Sequence, residues 1–239
     1  MYLSVIIPAY NEERRLPKTL SEIGKYLKKQ KYLYEIIVVS DGSKDRTADV
    51  VRSLQPKIAN LKLIDNKENH GKGYVVRQAL LEAKGDIRLF TDADNSTSLD
   101  QVEKMFPYFT EGYDIVIGSR DIKGAVLSPP QPMHRRLMGD IFNVMTQIIV
   151  GLWGISDTQC GFKALSAKAA KNILPKCQID RWAFDPEILK IGRKMKYKIK
   201  EVPITWKNDL ESKVKLRSTI KMGLDLFKIR WNSIIGKYR

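Results

Sequence analysis

The chain of 239 residues is long enough to bury the core of one large globular domain, and its 43% hydrophobic and 29% charged residues are typical of such a domain. Its 42 Lys and Arg residues outnumber its 27 Asp and Glu residues, and the formal net charge of +15 favours nucleic acid, an anionic membrane surface or phosphorylated substrates as partners. The two cysteines, Cys160 and Cys177, exclude a disulfide framework and lack metal-ligand spacing, so a reducing cytosolic setting is expected.

Strand and helix patterns alternate over the first 120 residues. Short apolar runs predict strands at residues 3–8, 35–39, 61–64, 87–90 and 114–120. Apolar side chains at helical spacing predict helices between them, at residues 16–27, 49–54 and 74–83. This alternation predicts an α/β fold with a mostly parallel central sheet, right-handed crossovers and flanking helices.

The pattern changes after residue 124. Three prolines within residues 128–132 predict a loop or mobile lid at residues 125–133. Residues 199–206 resemble a strand, with Pro203 near an edge or a bulge. Further helices are predicted at residues 134–153, from near residue 167, after residue 185 and, following a polar loop at residues 207–215, at residues 218–235.

No helix is expected to span a membrane. The most apolar segment, residues 144–155, is interrupted by Thr146, Gln147 and Gly151 and falls short of the roughly 20 apolar residues that a spanning helix needs. No signal peptide is expected before the first strand pattern. Any attachment to a membrane is therefore expected to be peripheral.

Two carboxylates follow the predicted strand at residues 87–90. Because side chains alternate along an extended segment, Asp92 and Asp94 point to the same side, at the edge where α/β sheets bind ligands. Mg²⁺ and Mn²⁺ take oxygen ligands of this kind, with phosphate oxygens completing the shell. The pair therefore predicts a metal-diphosphate site, although a plain acidic turn is the alternative for an Asp-x-Asp tripeptide on its own.

Two other loops carry candidate nucleotide contacts. Asp41 ends the second strand, where its carboxylate could accept the N3 hydrogen of uracil or the N1 hydrogen of guanine, and Gly42 allows close backbone approach. The alternative is that Asp41-Gly42-Ser43 is only a turn capping the next helix. Gly71-Lys72-Gly73 lacks the spacing of a Walker loop and could equally be a plain turn.

Taken together, four segments resemble family 2 glycosyltransferases, which are inverting enzymes of the GT-A fold that use nucleotide-diphospho-sugars. In the family's order they are Val5-Ile6-Ile7-Pro8-Ala9-Tyr10-Asn11-Glu12, Asp41-Gly42-Ser43, Asn69-His70-Gly71-Lys72-Gly73 and Asp92-Ala93-Asp94.

In the second half, four segments resemble the dolichyl-phosphate glucosyltransferase and mannosyltransferase branch. They are Gly118-Ser119-Arg120, Asp157-Thr158-Gln159-Cys160-Gly161-Phe162-Lys163, Arg181-Trp182-Ala183-Phe184-Asp185 and Glu211-Ser212-Lys213. The glucosyl enzymes are the closer match at residues 157–163 and 181–185. The resemblance therefore covers nearly the whole chain.

The resemblance implies an inverting transfer of a sugar, with glucose favoured, from a UDP-sugar to a polyprenyl or dolichyl phosphate, with Mg²⁺ or Mn²⁺ as cofactor. A GDP-mannose-dependent dolichyl-phosphate mannosyltransferase is the alternative. It further implies one catalytic domain at residues 1–239, with a nucleotide-binding half (1–120), an acceptor-side half (121–217) and an amphipathic helix (218–239). The expected location is the cytoplasmic face of a membrane, held peripherally.

The resemblance also implies residue roles. Asp92 and Asp94 would bind the metal and, with Arg120, act in catalysis. The implied nucleotide-binding residues are Pro8, Tyr10, Asn11, Glu12, Asp41, Lys72, Asp92 and Ala93. The implied acceptor-phosphate residues are Arg120, Arg135, Arg136 and Lys213, with the choice between Arg135 and Arg136 left open. The implied sugar and acceptor region comprises Gln159, Gly161, Arg181, Trp182 and Asp185.

The chain departs from the family pattern at two points. Ser40 stands where the family usually has the first of two acidic residues, which puts a secondary nucleotide contact in doubt. Membrane anchors that eukaryotic glucosyl enzymes and some mannosyl relatives carry are not expected here. Peripheral attachment to the membrane is expected in place of such an anchor.

Two other functions compete with this interpretation. The net charge of +15 suggests nucleic-acid binding, but no nucleic-acid module is recognisable and Asp92-Ala93-Asp94 would repel phosphate without a metal. No nucleic-acid partner is therefore expected. A nucleotidyltransferase would also use paired acids on an α/β sheet, but residues 157–163 and 181–185 argue against it.

Two predicted helices carry apolar faces that a membrane could cover. In the last one the apolar and basic residues are arranged as in a helix lying in the membrane interface, namely Ile220, Leu224, Phe227, Trp231, Ile234 and Ile235 with Lys221, Lys228, Arg230, Lys237 and Arg239. In the helix at residues 134–153 the face comprises Leu137, Ile141, Val144, Met145, Ile148, Ile149 and Leu152. Closure of the core or of a subunit contact is the alternative for both faces.

Overall fold

The computed structural model describes residues 2–129, 133–207 and 216–238, and only the backbone at residues 133–136 and 216–219. Of the predicted site residues, Lys213 lies outside the described residues, as do the side chains of Arg135 and Arg136. Residues 130–132 of the predicted loop and residues 208–215 before the last helix also lie outside them.

Strands and helices alternate through the first two thirds of the described chain. The strands are β1 (Tyr2–Ala9), β2 (Leu33–Asp41), β3 (Leu61–Asn66), β4 (Ile87–Thr91), β5 (Ile115–Ser119), β6 (Val126–Ser128), β7 (Phe162–Ser166), β8 (Ile199–Pro203) and β9 (Thr205–Lys207). The α-helices are α1 (Leu16–Leu27), α2 (Thr47–Leu54), α3 (Lys72–Glu82), α4 (Phe106–Thr110), α5 (Met133–Val150), α6 (Ala167–Ile173), α7 (Phe184–Lys194) and α8 (Leu216–Ile234). Short 3₁₀ segments lie at Leu99–Lys104 and Leu174–Lys176.

Seven of the described strands form one sheet in the order β3-β2-β1-β4-β7-β5-β8. The pairs β3–β2, β2–β1, β1–β4 and β5–β8 are parallel. The predicted α/β fold with a mostly parallel sheet and flanking helices is confirmed. Strands from before and after residue 120 share this sheet, because β7 lies between β4 and β5.

Strand β7 was not predicted and runs against both of its neighbours. Its sequence is Phe-Lys-Ala-Leu-Ser, in which Lys163 interrupts the apolar run that would indicate a buried strand and Ala164 has a low strand propensity. All the same, Lys163 is fully buried. The sequence pattern does not predict this strand because the burial of Lys163 depends on an ion pair with Asp185, which lies in a distant segment.

A second, small sheet replaces part of the predicted loop at residues 125–133. Strand β6 pairs in parallel with β9, from Val126 opposite Thr205 to Ser128 opposite Lys207. The strand predicted at residues 199–206 is accordingly divided, with β8 in the large sheet and β9 in the small one. Pro203 ends the edge strand β8, which agrees with the predicted edge position.

The two faces of the large sheet bury separate apolar layers. In β2, Ile36 and Val38 belong to one layer while Ile37 and Val39 belong to the other, as alternation requires. Helix α1 packs on the first layer, and α3, α6 and α7 pack on the second. These layers hold the strands rigidly, so the loops at the carboxyl ends of β1, β2 and β4 have a firm base.

Helices α5 and α8 pack together and expose apolar side chains to solvent. The exposed apolar residues are Leu137, Met138, Ile141, Val144, Met145 and Ile148 in α5, and Ile220, Leu224, Phe227, Trp231 and Ile234 in α8, followed by Ile235. We call this set the apolar surface. The opposite sides of both helices close the core through Phe142, Val150, Met222, Leu226 and Ile229, and the predicted face residue Leu152 is also buried.

None of the described helices combines the length and the apolar character needed to cross a membrane.

Candidate active site

The carboxyl ends of β1, β2 and β4 meet at one edge of the sheet, because these three strands are adjacent and parallel. The segments that follow them, residues 10–12, 41–43 and 92–94, therefore share this edge. The hydroxyl of Thr19 in α1 donates to the carbonyl oxygen of Ala93 at 2.7 Å and holds the last of these segments in place. This is the position where α/β sheets bind ligands.

The loop after β1 is fastened to the loop after β2. The backbone N–H of Asn11 donates to Ser43 Oγ at 3.1 Å, and Asn11 Oδ1 accepts from the backbone N–H of Lys44 at 2.8 Å. Glu12 is buried and forms an ion pair with Arg15 at 2.7 Å. In the structure, Asn11 and Glu12 therefore maintain the shape of this edge.

Asp41 anchors the segment that leads into α3. Its carboxylate is buried and accepts from the backbone N–H groups of His70 at 2.8 Å and Gly71 at 2.9 Å. A third hydrogen bond comes from Asn69 Nδ2 at 3.0 Å. A carboxylate has about four acceptor positions, so one remains for a ligand such as a base N–H.

The residues on either side of Asp41 are also constrained. Gly42 has a φ of +64°, and a Cβ there would lie 2.5 Å from the backbone carbon of Glu68, so a side chain does not fit. Ser40 is buried within β2, and its hydroxyl has no hydrogen-bond partner among the described residues.

Lys72 places a positive charge beside the predicted metal ligands. It lies in the first turn of α3, and its Nζ is 2.6 Å from Asp92 Oδ1. The rings of Trp182 and Phe184 stand 5.7 and 5.9 Å from the ammonium group. Burial disfavours its charged form, but the carboxylates of Asp92 and Asp185 outweigh that effect and raise the pKa of Lys72.

Asp92 and Asp94 are a repelling acidic pair. Burial and the charge of Asp92 raise the pKa of Asp94, whose Oδ1 accepts from the backbone N–H of Ser96 at 2.9 Å. Among the described residues, no group of three or more His, Cys, Asp and Glu side chains could hold a metal ion. The two hard carboxylates fit Mg²⁺ or Mn²⁺ only as part of a shell that a diphosphate completes.

Gly161 leaves room for Asp92. A Cβ at residue 161 would lie 2.0 Å from Asp92 Oδ2, so no side chain can be accommodated there without moving the carboxylate. Gly161 directly precedes β7, and β7 pairs with β4. Gly161, in the predicted sugar and acceptor region, thus lies directly against Asp92.

A buried ion pair joins β7 to α7. Lys163 Nζ lies 2.7 Å from Asp185 Oδ1, and both side chains are almost fully buried. Lys163 also donates to the carbonyl oxygen of Cys160. Burial raises the pKa of Asp185 even though Lys163 and Lys72 both favour its ionised form.

Arg120 is held by a carboxylate of its own. Its Nε and Nη2 donate to Asp157 at 2.7 and 2.9 Å, a bidentate pair, and its guanidinium lies 5.5 Å from the ring centroid of Trp206. Burial opposes the charge, but Asp157 raises the pKa of Arg120. The backbone N–H of Gln159 also donates to Asp157, at 3.3 Å.

The loop at residues 177–183 closes over the segment before α3. Arg181 Nη1 donates to Asn69 Oδ1 at 2.8 Å. A Cβ on Gly71, whose φ is +106°, would lie 2.4 Å from the carbonyl oxygen of Asp180. The two segments are therefore in direct backbone contact, and that contact requires the glycine.

Glu187 in α7 also fixes the loop at residues 177–183. Its carboxylate is fully buried and accepts from the backbone N–H groups of Gln178 at 3.0 Å and Ile179 at 2.9 Å. The hydroxyl of Tyr238, beyond α8, donates to Glu187 at 2.6 Å. The chain after α8 is thereby connected to the loop that covers the site.

The structure gathers most of the predicted side chains at this edge. Lys72, Gly161 and Asp185 surround Asp92, while Pro8 is half-buried and Tyr10 exposed at the end of β1. Sequence reasoning missed Asp157, Lys163 and Glu187. The first two lie in the motif at residues 157–163, which was the available signal, whereas Glu187 has none beyond the helix pattern.

Comparison of the sequence with known proteins gives consistent matches. The profile of Glycosyl transferase family 2 matches residues 4–174. A dolichyl-phosphate beta-glucosyltransferase of Trichomonas vaginalis is 38% identical over 96% of this chain and 73% of its own length. Proteins of the same name from Dictyostelium discoideum and Homo sapiens are 36% and 34% identical, over 100% and 99% of this chain and 77% of each relative.

Solved structures share the fold. Glucosyl-3-phosphoglycerate synthase from Mycobacterium tuberculosis, in complex with Mn²⁺, UDP and glucosyl-3-phosphoglycerate, has a TM-score of 0.70 at 18% identity, over 98% of this chain and 80% of that chain. Mannosyl-3-phosphoglycerate synthase from Rubrobacter xylanophilus has a TM-score of 0.71 at 17% identity, over 99% of this chain and 76% of that chain. At these identities the likeness concerns the fold alone.

Proposed function

Because the chain belongs to glycosyltransferase family 2 and, within it, to the dolichyl-phosphate beta-glucosyltransferases, we propose that it transfers glucose from UDP-glucose to a dolichyl or other polyprenyl phosphate. The observation that carries this proposal is the identity of 34–38% to enzymes of that name over at least 96% of the chain. The donor sugar of the named relatives favours glucose over mannose. The site described above supplies residues suited to each part of the reaction.

Asp92 and Asp94 would hold a divalent cation, Mg²⁺ or Mn²⁺, together with oxygens of the donor diphosphate. When bound, such an ion neutralises the charge that builds on a departing nucleoside diphosphate. Their hard oxygen atoms and their mutual repulsion support this assignment. Gly161 leaves the space that the Asp92 carboxylate occupies.

Lys72 would bind the donor diphosphate from the other side. Its ammonium is already beside Asp92, and it lies in the first turn of an 11-residue helix whose amino end favours anions. The neighbouring rings of Trp182 and Phe184 exclude water from that charge and strengthen its pull on a phosphate oxygen.

Asp41 would orient the base. Three hydrogen bonds from residues 69–71 fix its carboxylate at the end of β2, which leaves an acceptor position for the N3 hydrogen of uracil. Pro8, Tyr10, Asn11 and Glu12 would form the neighbouring wall of this pocket.

The acceptor needs positive charge more than it needs a base. A phosphate monoester has a second pKa near 6 and is largely ionised at neutral pH, so its oxygen can attack the anomeric carbon directly. Arg120, oriented by Asp157, would steer that phosphate. Arg135 or Arg136, and Lys213, are proposed as further contacts to the acceptor phosphate; their side chains lie outside those that the structure describes.

Access to a lipid acceptor would come through peripheral attachment to the cytoplasmic face of the membrane. The apolar surface lies on α5 and α8, which pack together, and Trp231 and Phe227 on it are 62% and 58% exposed. Its basic flanks on α8, such as Lys221 and Lys228, suit an anionic surface.

The test is incubation of the purified protein with radiolabelled UDP-glucose, other UDP-sugars or GDP-mannose, together with a polyprenyl phosphate, followed by extraction into organic solvent. Label from UDP-glucose alone is expected to enter the organic phase, as a β-linked product. Chelation of divalent cations, Asp92→Asn and Asp94→Asn should each reduce the transfer by at least about 100-fold, since charge-stabilising groups at transition states contribute that much. Label only from GDP-mannose would overturn the glucose assignment, and label from no donor would overturn the proposed reaction.

A further inference from the structure

Four basic side chains surround the end of α5. A Cβ on Gly151 would lie 3.4 Å from Lys190 Nζ and 3.7 Å from Arg230 Nη1, so these two cations are neighbours. Arg193 donates from Nη1 to the carbonyl oxygen of Gly151 at 3.2 Å. Lys194 Nζ donates to the carbonyl oxygen of Ser233 in α8 at 2.8 Å. We call Lys190, Arg193, Lys194 and Arg230 the cationic cluster.

Within the described part of the chain, no carboxylate forms an ion pair with any member of the cationic cluster. This differs from three basic residues of the candidate active site, Lys72, Arg120 and Lys163, each of which has an acidic partner. Burial and the charges of Arg230, Arg193 and Lys194 lower the pKa of Lys190, so the repulsion is felt at its ammonium. An anion bound among these groups would relieve it.

Helix ends account for only part of this arrangement. Arg193 donates to carbonyl oxygens beyond the end of α5, where the helix dipole favours cations, and Lys194 binds a carbonyl oxygen of α8. Lys190 and Arg230 make no such contact among the described residues, yet they converge on the same point. Their placement therefore suits an anionic ligand.

The surroundings of the cationic cluster indicate a lipid. Trp153, whose carbonyl oxygen accepts from Arg193, is 61% exposed, and Trp231 next to Arg230 is 62% exposed. Exposed tryptophans are enriched at the level of lipid headgroups. The apolar surface continues from there through Ile148 and Ile234, which are both exposed.

We infer that the cationic cluster binds the phosphate of an anionic lipid headgroup. The inference rests on the peripheral membrane attachment proposed above, and it names the partner of that attachment. Arginine and lysine donors that converge on one point suit phosphate oxygens, and the apolar surface beside them would enter the acyl region.

The test is flotation of the intact protein with three kinds of phosphatidylcholine vesicle: neutral, containing phosphatidic acid, or containing oleic acid at matched surface charge. The wild type is expected to prefer phosphatidic acid. Lys190→Gln with Arg230→Gln should weaken that binding by about 25-fold or more, at about fivefold for each charge near the surface, and should remove the preference over oleic acid.

Two double variants serve as matched controls. Lys28→Gln with Lys29→Gln removes the same charge at the end of α1 and should leave binding unchanged. Lys221→Gln with Lys228→Gln removes two positive charges from α8 itself, and this variant should still prefer phosphatidic acid to oleic acid. An equal loss of preference in this last variant would show that the preference depends on the total positive charge and not on the cationic cluster, and would overturn the inference.

Two further arms separate the remaining explanations. Inorganic phosphate at millimolar concentration, with the ionic strength held constant by chloride, tests for a free anion: a wild type that binds inorganic phosphate but shows no preference for phosphatidic acid over oleic acid would assign the cationic cluster to a free anion and overturn a lipid ligand. Glucosyl transfer to a short-chain polyprenyl phosphate in detergent is measured on the same variants and should persist. Loss of transfer in the wild type counts against the proposed reaction, whereas loss of vesicle preference alone counts against the inferred headgroup site.

Discussion

Gly161 shows how a single missing side chain can control an active site. The residue stands against the carboxylate of Asp92, and a Cβ there would lie 2.0 Å from Oδ2. Gly161→Ala is therefore expected to displace Asp92 and to reduce glucosyl transfer by at least about 100-fold, as if the carboxylate itself were removed. Initial rates with UDP-glucose, beside circular dichroism to verify folding, measure the effect.

Gly139→Ala is the matched control for this change. Gly139 lies within α5, and nothing is within 4 Å of a Cβ placed on it. Alanine there should keep full activity and stabilise the helix by about 1 kcal/mol. Equal activity of the two alanine variants would show that Asp92 does not need its present position.

Asp41 carries the second prediction at this scale. In Asp41→Asn, an amide N–H replaces an acceptor that faces the N–H groups of His70 and Gly71, so the segment before α3 must shift. UDP binding should weaken by at least about tenfold, corresponding to the loss of one hydrogen bond to a charged group. Calorimetric titration measures it, with Asp49→Asn, a 70% exposed carboxylate, as the control. Unchanged affinity in Asp41→Asn would remove this residue from the nucleotide site.

Among the elements, the segment after α8 is coupled to the loop at residues 177–183 through the buried carboxylate of Glu187. Tyr238 donates to Glu187, and Glu187 accepts from Gln178 and Ile179 in that loop. Tyr238→Phe keeps the ring but removes a hydrogen bond to a charged acceptor, which should lower the free energy of unfolding by about 1.5–3 kcal/mol. Urea denaturation measures the change, and faster hydrogen exchange at Gln178 and Ile179 should accompany it.

Tyr197→Phe is the control for the hydroxyl. Its hydroxyl accepts from Asn172 at 2.7 Å in an exposed position, so its loss should change the unfolding free energy by less than about 0.5 kcal/mol. If both tyrosine variants lose the same free energy of unfolding, the hydrogen bond from Tyr238 to Glu187 contributes no more to stability than the exposed one at Tyr197, and the prediction is wrong.

The ion pair that links β5 to the segment before β7 predicts a pH dependence. Burial alone would raise the pKa of Asp157, but Arg120 holds it below its usual value. Its contribution to stability is therefore complete above the unfolded-state pKa of about 3.9 and is lost as the pH falls through the lower folded-state value. Asp157→Asn leaves Arg120 unpaired and should cost about 3–5 kcal/mol at neutral pH.

Unfolding free energies of the wild type and Asp157→Asn, measured from pH 7 down to pH 3, provide the check. The gap between them should be constant above about pH 5 and should narrow below about pH 4, since only the wild type loses a carboxylate there. The exposed Asp140→Asn on α5 should show no gap at either end. A gap that widens on acidification would contradict the depressed pKa.

At the scale of the whole molecule, the apolar surface determines how the protein meets a membrane. Deleting residues 218–239 would be a poor test, because Met222, Leu226 and Ile229 close the core from the same helix. Phe227→Ser with Trp231→Ser changes only exposed side chains. Each contributes at least about 1.5 kcal/mol if it inserts, so cosedimentation with anionic vesicles should weaken by at least about 100-fold.

The control removes equally exposed apolar side chains elsewhere. Leu33→Ser with Leu81→Ser changes residues that are 72% and 41% exposed, away from α5 and α8, and should leave vesicle binding unchanged. UDP binding should be intact in both double variants. Full cosedimentation of Phe227→Ser with Trp231→Ser would place the membrane contact elsewhere on the protein.

Local patterns in the sequence were sufficient for β1–β5 and α1–α3 and for the positions of Asp41, Asp92 and Asp94 at strand ends. Apolar runs and helical spacing are properties of neighbouring residues, so they can be read without knowing the fold. Four motifs, each weak alone, occur in the order typical of family 2 glycosyltransferases, and together they indicated the family. The apolar face of α8 was also predicted from spacing, and the structure exposes it.

Only the tertiary structure decided which charges meet and which strands are neighbours. Lys72 pairs with Asp92 across 20 positions, and Lys163 with Asp185 across 22, because the fold brings distant segments together. Strand β7 enters between β4 and β5 for the same reason, since its burial depends on partners that its own five residues do not contain. Charge pairing and burial arise from contacts between segments, and no local pattern carries that information.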